Sequence, residues 1–164
     1  MEYYNAISEG YDELYGNEQI NKLKTIKENI VLKKEPKILD IGCGSGLATT
    51  IFEGKYIGVE PAKKLASNPR LKNHKIIISN YEDVKIAEKF DLILCISTIH
   101  HFKDLNKGLE NIISNSYENT IIAITILKNI KRKNEIKEAI FKKLKLVKEI
   151  KEQKDDILIL KIKG

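Results

Sequence analysis

The chain has 164 residues, 42% of them hydrophobic, and a formal net charge of +6. That length suits one domain, residues 1–164, with a proper buried core. No apolar run approaches the roughly 18 residues of a membrane span, and the acidic, aromatic start MEYYNAISEGYDELYG is unlike a signal peptide, so a cytoplasmic protein with no membrane association is expected.

Residues 3–15 carry Tyr4, Ile7, Tyr11, Leu14 and Tyr15 at helical spacing, interrupted at Gly10. Residues 17–32 repeat the pattern with Ile20, Leu23, Ile26 and Ile30. Pro36 separates this helical prelude from a series of alternating elements. Strands are expected at 37–41, 56–59, 74–79, 90–96 and 119–127, and helices at 47–52, 63–67, 105–114 and 134–144, with a short segment around Ile86. Such alternation predicts a parallel sheet with helices on both faces. The tail breaks the rhythm: 146–152 and 157–162 read as strands joined by the polar Gln153-Lys154-Asp155-Asp156, hence a hairpin.

The most informative stretch is ILDIGCGSG, residues 38–46, an apolar run followed by glycines at 42, 44 and 46. A buried strand that ends in a loop with little side chain lets a ligand approach the backbone closely. The dinucleotide fingerprint is G-x-G-x-x-G, whereas the spacing here is G-x-G-x-G with Asp40 two residues before the first glycine. A carboxylate at Asp40 repels a pyrophosphate and attracts a cation. A nicotinamide oxidoreductase therefore lacks its required spacing. Cys43 sits where a small apolar residue is needed, so packing is its expected role. Cys43 and Cys95 are far apart and lack C-x-x-C spacing, which supports neither a disulfide nor a metal site.

Three further parts follow in order. The run KYIGV ends in Glu60, twenty positions after Asp40, a distance at which an acid can accept hydrogen bonds from both ribose hydroxyls; Pro61 is next to it. The run KIIIS is followed by Asn80, Tyr81, Glu82 and Asp83. Last comes FDLILCISTIHHF, residues 90–102, with Ile96 and Ser97 at the strand's end and the vicinal pair His100 and His101. A histidine near a strand end can orient a substrate or act as a base. Adjacent residues point in different directions, so at most one is expected to face a pocket.

D-x-G-x-G-x-G resembles motif I of the class I S-adenosylmethionine-dependent methyltransferases, and the parts after it resemble that family's later motifs in register. The resemblance implies a Rossmann-like α/β fold, doubly wound, with a seven-stranded sheet of order 3-2-1-4-5-7-6 and a C-terminal antiparallel hairpin. It implies S-adenosyl-L-methionine as cofactor, with Asp40, Gly42, Cys43, Gly44 and Gly46 at its methionine end and Glu60 with Pro61 at the ribose. Asn80, with Glu82 and Asp83 as alternatives and Tyr81 as a neighbour, would hold the adenine, and Ile96 and Ser97 would line the methyl's side. His100 or His101 would position or deprotonate the acceptor. The stretch YYNAISEGYDELYG is similar to the segment that folds over the cofactor in small, UbiE-like enzymes related to ubiquinone and menaquinone biosynthesis. Residues 1–34 would then be a helical lid whose Tyr4, Tyr11 and Tyr15 face a sulfonium, over a core of 35–164. A plain amphipathic helix packing its tyrosines on the sheet is the alternative.

The acceptor is narrowed by what is missing. The chain has no Asn-Pro-Pro-aromatic signature after the fourth strand, and Cys95 has no partner cysteine on the fifth. An oxygen, carbon or amine atom of a small molecule is therefore the expected acceptor. Residues 128–151 hold ten Lys or Arg against three Glu, which makes an RNA substrate conceivable, although Arg70 and Arg132 are the only arginines and bidentate readout favours arginine. The CISTIHHF stretch is also similar to transfer-RNA wobble-uridine methyltransferases that act with a small activating partner protein. An RNA enzyme of that kind, or a non-catalytic subunit with the same fold, are the alternatives.

Overall fold

The structure, a computed structural model, describes residues 2–164. Its elements in chain order are α1 (Glu2–Ala6), α2 (Tyr11–Glu28), β1 (Lys37–Ile41), β2 (Lys55–Val59), α3 (Lys63–Ala66), β3 (Lys75–Ile77), β4 (Phe90–Cys95), α4 (Leu105–Ser114), β5 (Ser116–Leu127), α5 (Lys133–Lys143), β6 (Leu144–Lys151) and β7 (Asp155–Ile162). The seven strands form one sheet of order β3-β2-β1-β4-β5-β7-β6. Pairing is parallel from β3 to β5, and β7 runs antiparallel to both β5 and β6. The doubly wound sheet and its terminal hairpin are as the sequence predicts.

Buried side chains form two clusters. One gathers Leu39, Ile41, Ile93 and Ile124 with Leu109 and Ile112 of α4 and Ile136 and Ile140 of α5. The other gathers Ile38, Leu92, Leu94 and Ala123 with Leu23 and Ile26 of α2 and with Leu47, Phe52 and Leu71. Strand residues alternate between the two because successive side chains point to opposite faces of a sheet.

Register then assembles one edge. Ile41 of β1 is level with Val59 of β2 and with Cys95 of β4. The residues that follow, Gly42, Glu60 and Ile96, therefore emerge side by side at the carboxyl ends of the three central strands, where ligands of open α/β sheets bind.

Several elements differ from the expectations. The segment 47–52 is only a 3-10 turn, Leu47–Thr50. The hydroxyls of Thr49 and Thr50 donate to the carbonyls of Gly46 and Leu47, each at 2.7 Å, which favours the tighter turn over a continued α-helix. Between β3 and β4, where the sequence offers only a short segment around Ile86, the chain makes one 3-10 turn, Tyr81–Asp83. There Asn111 Nδ2 donates to the carbonyls of Tyr81 and Val84, and Asn115 Nδ2 to those of Ile86 and Glu88. These two amides from α4 and its cap do the work that a helix's own ladder would do. β5 starts at Ser116 because Thr120 Oγ1 accepts from Tyr117 N–H and donates to the Phe90 carbonyl, carrying the strand over an irregularity in its pairing with β4. At the start, the helical break falls between Ala6 and Tyr11, and α2 runs without interruption through Gly16.

Candidate active site

The loop 42–46 has all three of its glycines in the left-handed region. At Gly42 a Cβ would come within 2.2 Å of Thr98 Oγ1, so this position is closed to any side chain by the turn after β4. At Gly44 the nearest atoms would be those of the Tyr11 ring at 3.7 Å. Here the backbone angle and the open cavity in front of it, rather than packing, call for glycine.

The sequence suggests that the loop's N–H groups reach a ligand; in the structure most are already engaged. Gly42 and Cys43 donate to the Val59 carbonyl at 2.8 and 3.1 Å, Gly46 donates to the Cys43 carbonyl at 2.9 Å, and Gly44 donates to Glu60 Oε2 at 2.9 Å. The glycines thus supply room more than donors. Glu60 Oε1 accepts a second bond, 2.7 Å, from Ala62 N–H. Each carboxylate oxygen keeps a lone pair for a further donor, so two vicinal hydroxyls can still be met. Burial pushes the Glu60 pKa up, and the two N–H bonds counter it.

A cavity of about 290 Å³ lies in front of this edge. Of the residues expected at the site, Tyr11, Gly42, Gly44, Glu60, Pro61, Asn80, Ile96, Ser97 and His101 line it. Tyr4, Ala62, Leu65, Thr98 and Lys103 complete the wall. Of these only Tyr4 stands out in the sequence. Thr98 and Lys103 carry no spacing signal and reach the wall because the turn after β4 folds back over Gly42.

The remaining expected residues lie elsewhere. Cys43 is buried beside Gly58, where a Cβ would come within 2.7 Å of its sulfur, so it packs the loop onto β2. Gly46 packs against Leu71. Tyr81 is buried in the core with its hydroxyl on Asn115 Oδ1 at 2.8 Å, and Glu82 accepts from Lys103 N–H at 2.8 Å, so neither faces the cavity. Asp40 is behind the loop, 4% exposed, at a small void of about 30 Å³ shared with Tyr11, Gly42 and Ile96. Its Oδ2 accepts a 2.6 Å bond from Tyr56. Burial, with the charge of Glu60, pushes the Asp40 carboxyl up to about 7 against the lowering effect of that bond.

Of the vicinal pair, His101 lines the cavity and His100 does not. The rings are 4.1 Å apart, and His100 Nδ1 is buried with no hydrogen-bond partner among the described residues. His101 Nε2 is 3.0 Å from Tyr4 Oη. Burial lowers the pKa of both imidazoles; that of His100 falls to about 4, helped by His101, Lys22 and Arg132. Burial raises the Tyr4 pKa. Near neutral pH the cavity therefore presents a neutral imidazole and a neutral phenol to its contents.

The amino-terminal segment covers the cavity. Tyr4 and Tyr11 line it from above, 6.3 Å apart edge to face. Asp12 fastens α2 to the glycine loop by accepting from Ser45 Oγ at 2.5 Å and from Arg70 Nη1 at 3.0 Å. Asn5 Oδ1 accepts from Lys64 N–H at 3.1 Å. Among the described residues no group of three or more His, Cys, Asp and Glu could hold a metal ion, and no helix is long and apolar enough to cross a membrane.

Residues 39–114 match the methyltransferase domain family. Over 83 residues the chain is 31% identical to a ubiquinone biosynthesis O-methyltransferase of Nitrobacter winogradskyi, covering 45% of this chain and 32% of that protein. The chain thus spans about a third of that relative's length. A Clostridium acetobutylicum S-adenosylmethionine-dependent methyltransferase superposes with a TM-score of 0.74 at 15% identity, covering 98% of this chain and 99% of that one. A chain of the Haloferax volcanii complex between the Trm112 methyltransferase activator and a methyltransferase superposes with a TM-score of 0.78 at 12% identity, covering 97% and 96%. Residues 39–114 thus carry the match to the methyltransferase domain family, and the chain as a whole shares its fold with S-adenosylmethionine-dependent methyltransferases of known structure.

Proposed function

We propose that this chain is a class I S-adenosylmethionine-dependent methyltransferase that acts on a small molecule through an oxygen, carbon or amine atom, with His101 as the group that positions or deprotonates the acceptor. The observation that carries the reading is the 3.0 Å contact of His101 Nε2 with Tyr4 across the cavity. It places a neutral imidazole at the exposed rim of the cavity beside Tyr4 of α1, within reach of a compact acceptor seated in the cavity.

The residues fit the cofactor. Glu60 has a lone pair on each oxygen for the ribose hydroxyls, Asn80 can serve the adenine, and Gly42 and Gly44 leave space for the methionine end. Asp40 behind the loop favours the cofactor's positive charge. S-adenosylmethionine supplies a methyl group already activated by a sulfonium, so this chain's residues need only align, exclude water and manage one proton. Tyr4 and Tyr11 form the cover that excludes water. The neutral His101 is able to take a proton from an acceptor hydroxyl or amine. His100, off the cavity, supports the ring of its neighbour.

A second reading is an RNA methyltransferase with an activating partner. Its support is the basic segment 128–151 and the likeness in fold to the activator-bound Haloferax volcanii chain. The pairing of that segment favours the small molecule. Lys133 and Lys137 hold the buried Asp156, Lys137 also meets Glu149, Arg132 meets Glu135 and Lys143 meets Glu110. Charges neutralised in this way attract phosphate less.

Incubating the protein and methyl-labelled cofactor with cell extract, then separating small molecules, RNA and protein, tests the reading. Label among small molecules is expected. Label in RNA would replace it with the second reading, and label in no fraction would favour a non-catalytic subunit.

A further inference from the structure

Lys22 is a buried ammonium, 5% exposed, on the inward face of α2. An ammonium has three N–H donors, and three acceptors surround this one. Its Nζ donates to Ser97 Oγ at 3.0 Å, is 3.2 Å from Glu18 Oε1 and pairs with the carboxylate of Asp155. Apart from that ion pair, neither carboxylate oxygen of Asp155 has a hydrogen-bond partner among the described residues.

Ser97 is the residue at which this cluster meets the cavity. It follows β4 with φ of 50°, a left-handed conformation rare for a residue with a side chain. Such a conformation persists only when its surroundings over-determine it. Two tethers do so here: Thr125 Oγ1 on β5 accepts the Ser97 N–H at 2.7 Å, and Lys22 reaches its hydroxyl. The next residue, Thr98, lies directly against Gly42, at a distance that leaves no space for a Cβ there. Any movement of the Ser97–Thr98 turn is therefore passed to the glycine loop.

We propose that Lys22 is a positioning residue for the cofactor pocket: by gripping Ser97 it holds the turn after β4 against the glycine loop and couples α2, whose first turn covers the cavity, to the shape of the methyl-donor site. The proposal goes beyond the choice of acceptor and rests only on the cofactor.

The test separates fold from positioning. Replacing a buried ion pair by apolar residues of similar size is commonly neutral for stability, so the double variant Lys22→Met/Asp155→Leu removes the grip while keeping a packed interior. In the full chain it is expected to melt within a few degrees of wild type and to bind S-adenosylhomocysteine about tenfold more weakly, the scale of one charge-assisted hydrogen bond. Ser97→Ala cuts the same bond from the other side without touching the ion pair, and about the same tenfold loss is expected. Combining all three changes should cost little more than either alone, because contacting residues are not additive.

Binding by the double variant within about twofold of wild type, or losses that simply multiply, would overturn the proposal. Should the double variant fold poorly, Ser97→Ala decides: affinity within about twofold of wild type overturns the proposal. Wild type is measured first. If it fails to bind S-adenosylhomocysteine, the methyl-donor site itself is wrong and the proposal falls with it, a result distinct from variants that bind unaffected.

Discussion

Tyr56 of β2 donates a 2.6 Å hydrogen bond to Asp40 of β1 beneath the glycine loop. Asp40 is level with Gly58, so Tyr56 is its diagonal neighbour on the same face of the sheet. The bond favours the ionised acid, yet burial outweighs it and pushes the carboxyl up to about 7. Unfolding returns the acid to its ordinary value of 3.8. Between those values the folded chain holds a proton that the unfolded chain has released. The contribution to stability is fully present below about pH 4 and is lost as pH rises through 7. Melting curves of wild type and Asp40→Asn between pH 4 and 8 should show wild type losing stability relative to the variant, by on the order of 4 kcal/mol at most. Parallel curves would refute the buried-acid assignment. A cationic ligand favours the carboxylate, so S-adenosylmethionine affinity should rise as pH increases through 7.

Gly44 and Gly42 should respond differently to substitution. Gly44→Val puts a branched side chain at φ 55° into the cavity below Tyr11. Calorimetry should show loss of S-adenosylhomocysteine binding, with a stability cost of roughly 1–2 kcal/mol from the backbone angle. Gly42→Ala instead meets Thr98 at 2.2 Å, and denaturant titration should show about 1–3 kcal/mol from overpacking as well as weaker binding. Tight binding by Gly44→Val would mean that the ligand lies elsewhere.

His101→Gln tests the proton-handling role. Once the labelled product is known, transfer should fall by about 10²–10⁴, while S-adenosylhomocysteine affinity stays within about threefold because binding and chemistry draw on different groups. Loss of both together would make His101 part of the cofactor pocket instead.

The cover is tied down at Asp12, whose carboxylate accepts from Ser45 Oγ and from Arg70 Nη1, while Arg70 also reaches the Ser45 carbonyl directly at 3.2 Å. Asp12→Ala should weaken S-adenosylhomocysteine binding about five- to tenfold, since hydrogen bonds to charged groups carry roughly 1.5–3 kcal/mol and part of that is screened here. The melting temperature should change by only a few degrees. An unchanged affinity would leave the amino-terminal segment as mere packing.

Asn115 joins three parts of the fold. Its amide donates to the Ile86 and Glu88 carbonyls and its oxygen accepts the Tyr81 hydroxyl. Asn115→Leu leaves those groups buried without partners, at about 1–3 kcal/mol each before relaxation. Denaturant titration should therefore show a loss of at least ~2 kcal/mol, and a loss under ~0.5 kcal/mol would show that water replaces the amide without penalty.

Much of this architecture is written locally. The apolar runs before Asp40, Glu60, Asn80 and Ile96 need burial on both faces, and four such runs in a chain of this length leave a parallel sheet as the only economical way to bury them. The three glycines and the acid twenty positions after Asp40 mark the strand edge at which the cavity opens. None of this depends on distant contacts. What only the tertiary structure decides is where side chains point once a strand has ended. The left-handed turn at Ser97 brings Thr98 onto Gly42 and turns His101, not His100, to the cavity; Asn80 faces it while Tyr81 and Glu82 turn inward to Asn115 and Lys103. The same holds for the crossing after β1, where the helix expected at 47–52 gives way to a 3-10 turn, and for Lys22, which reads in sequence as one more surface lysine and is buried against Ser97 and Asp155. Periodicity records which face of an element is apolar, but direction beyond its end is set by backbone angles and partners far along the chain.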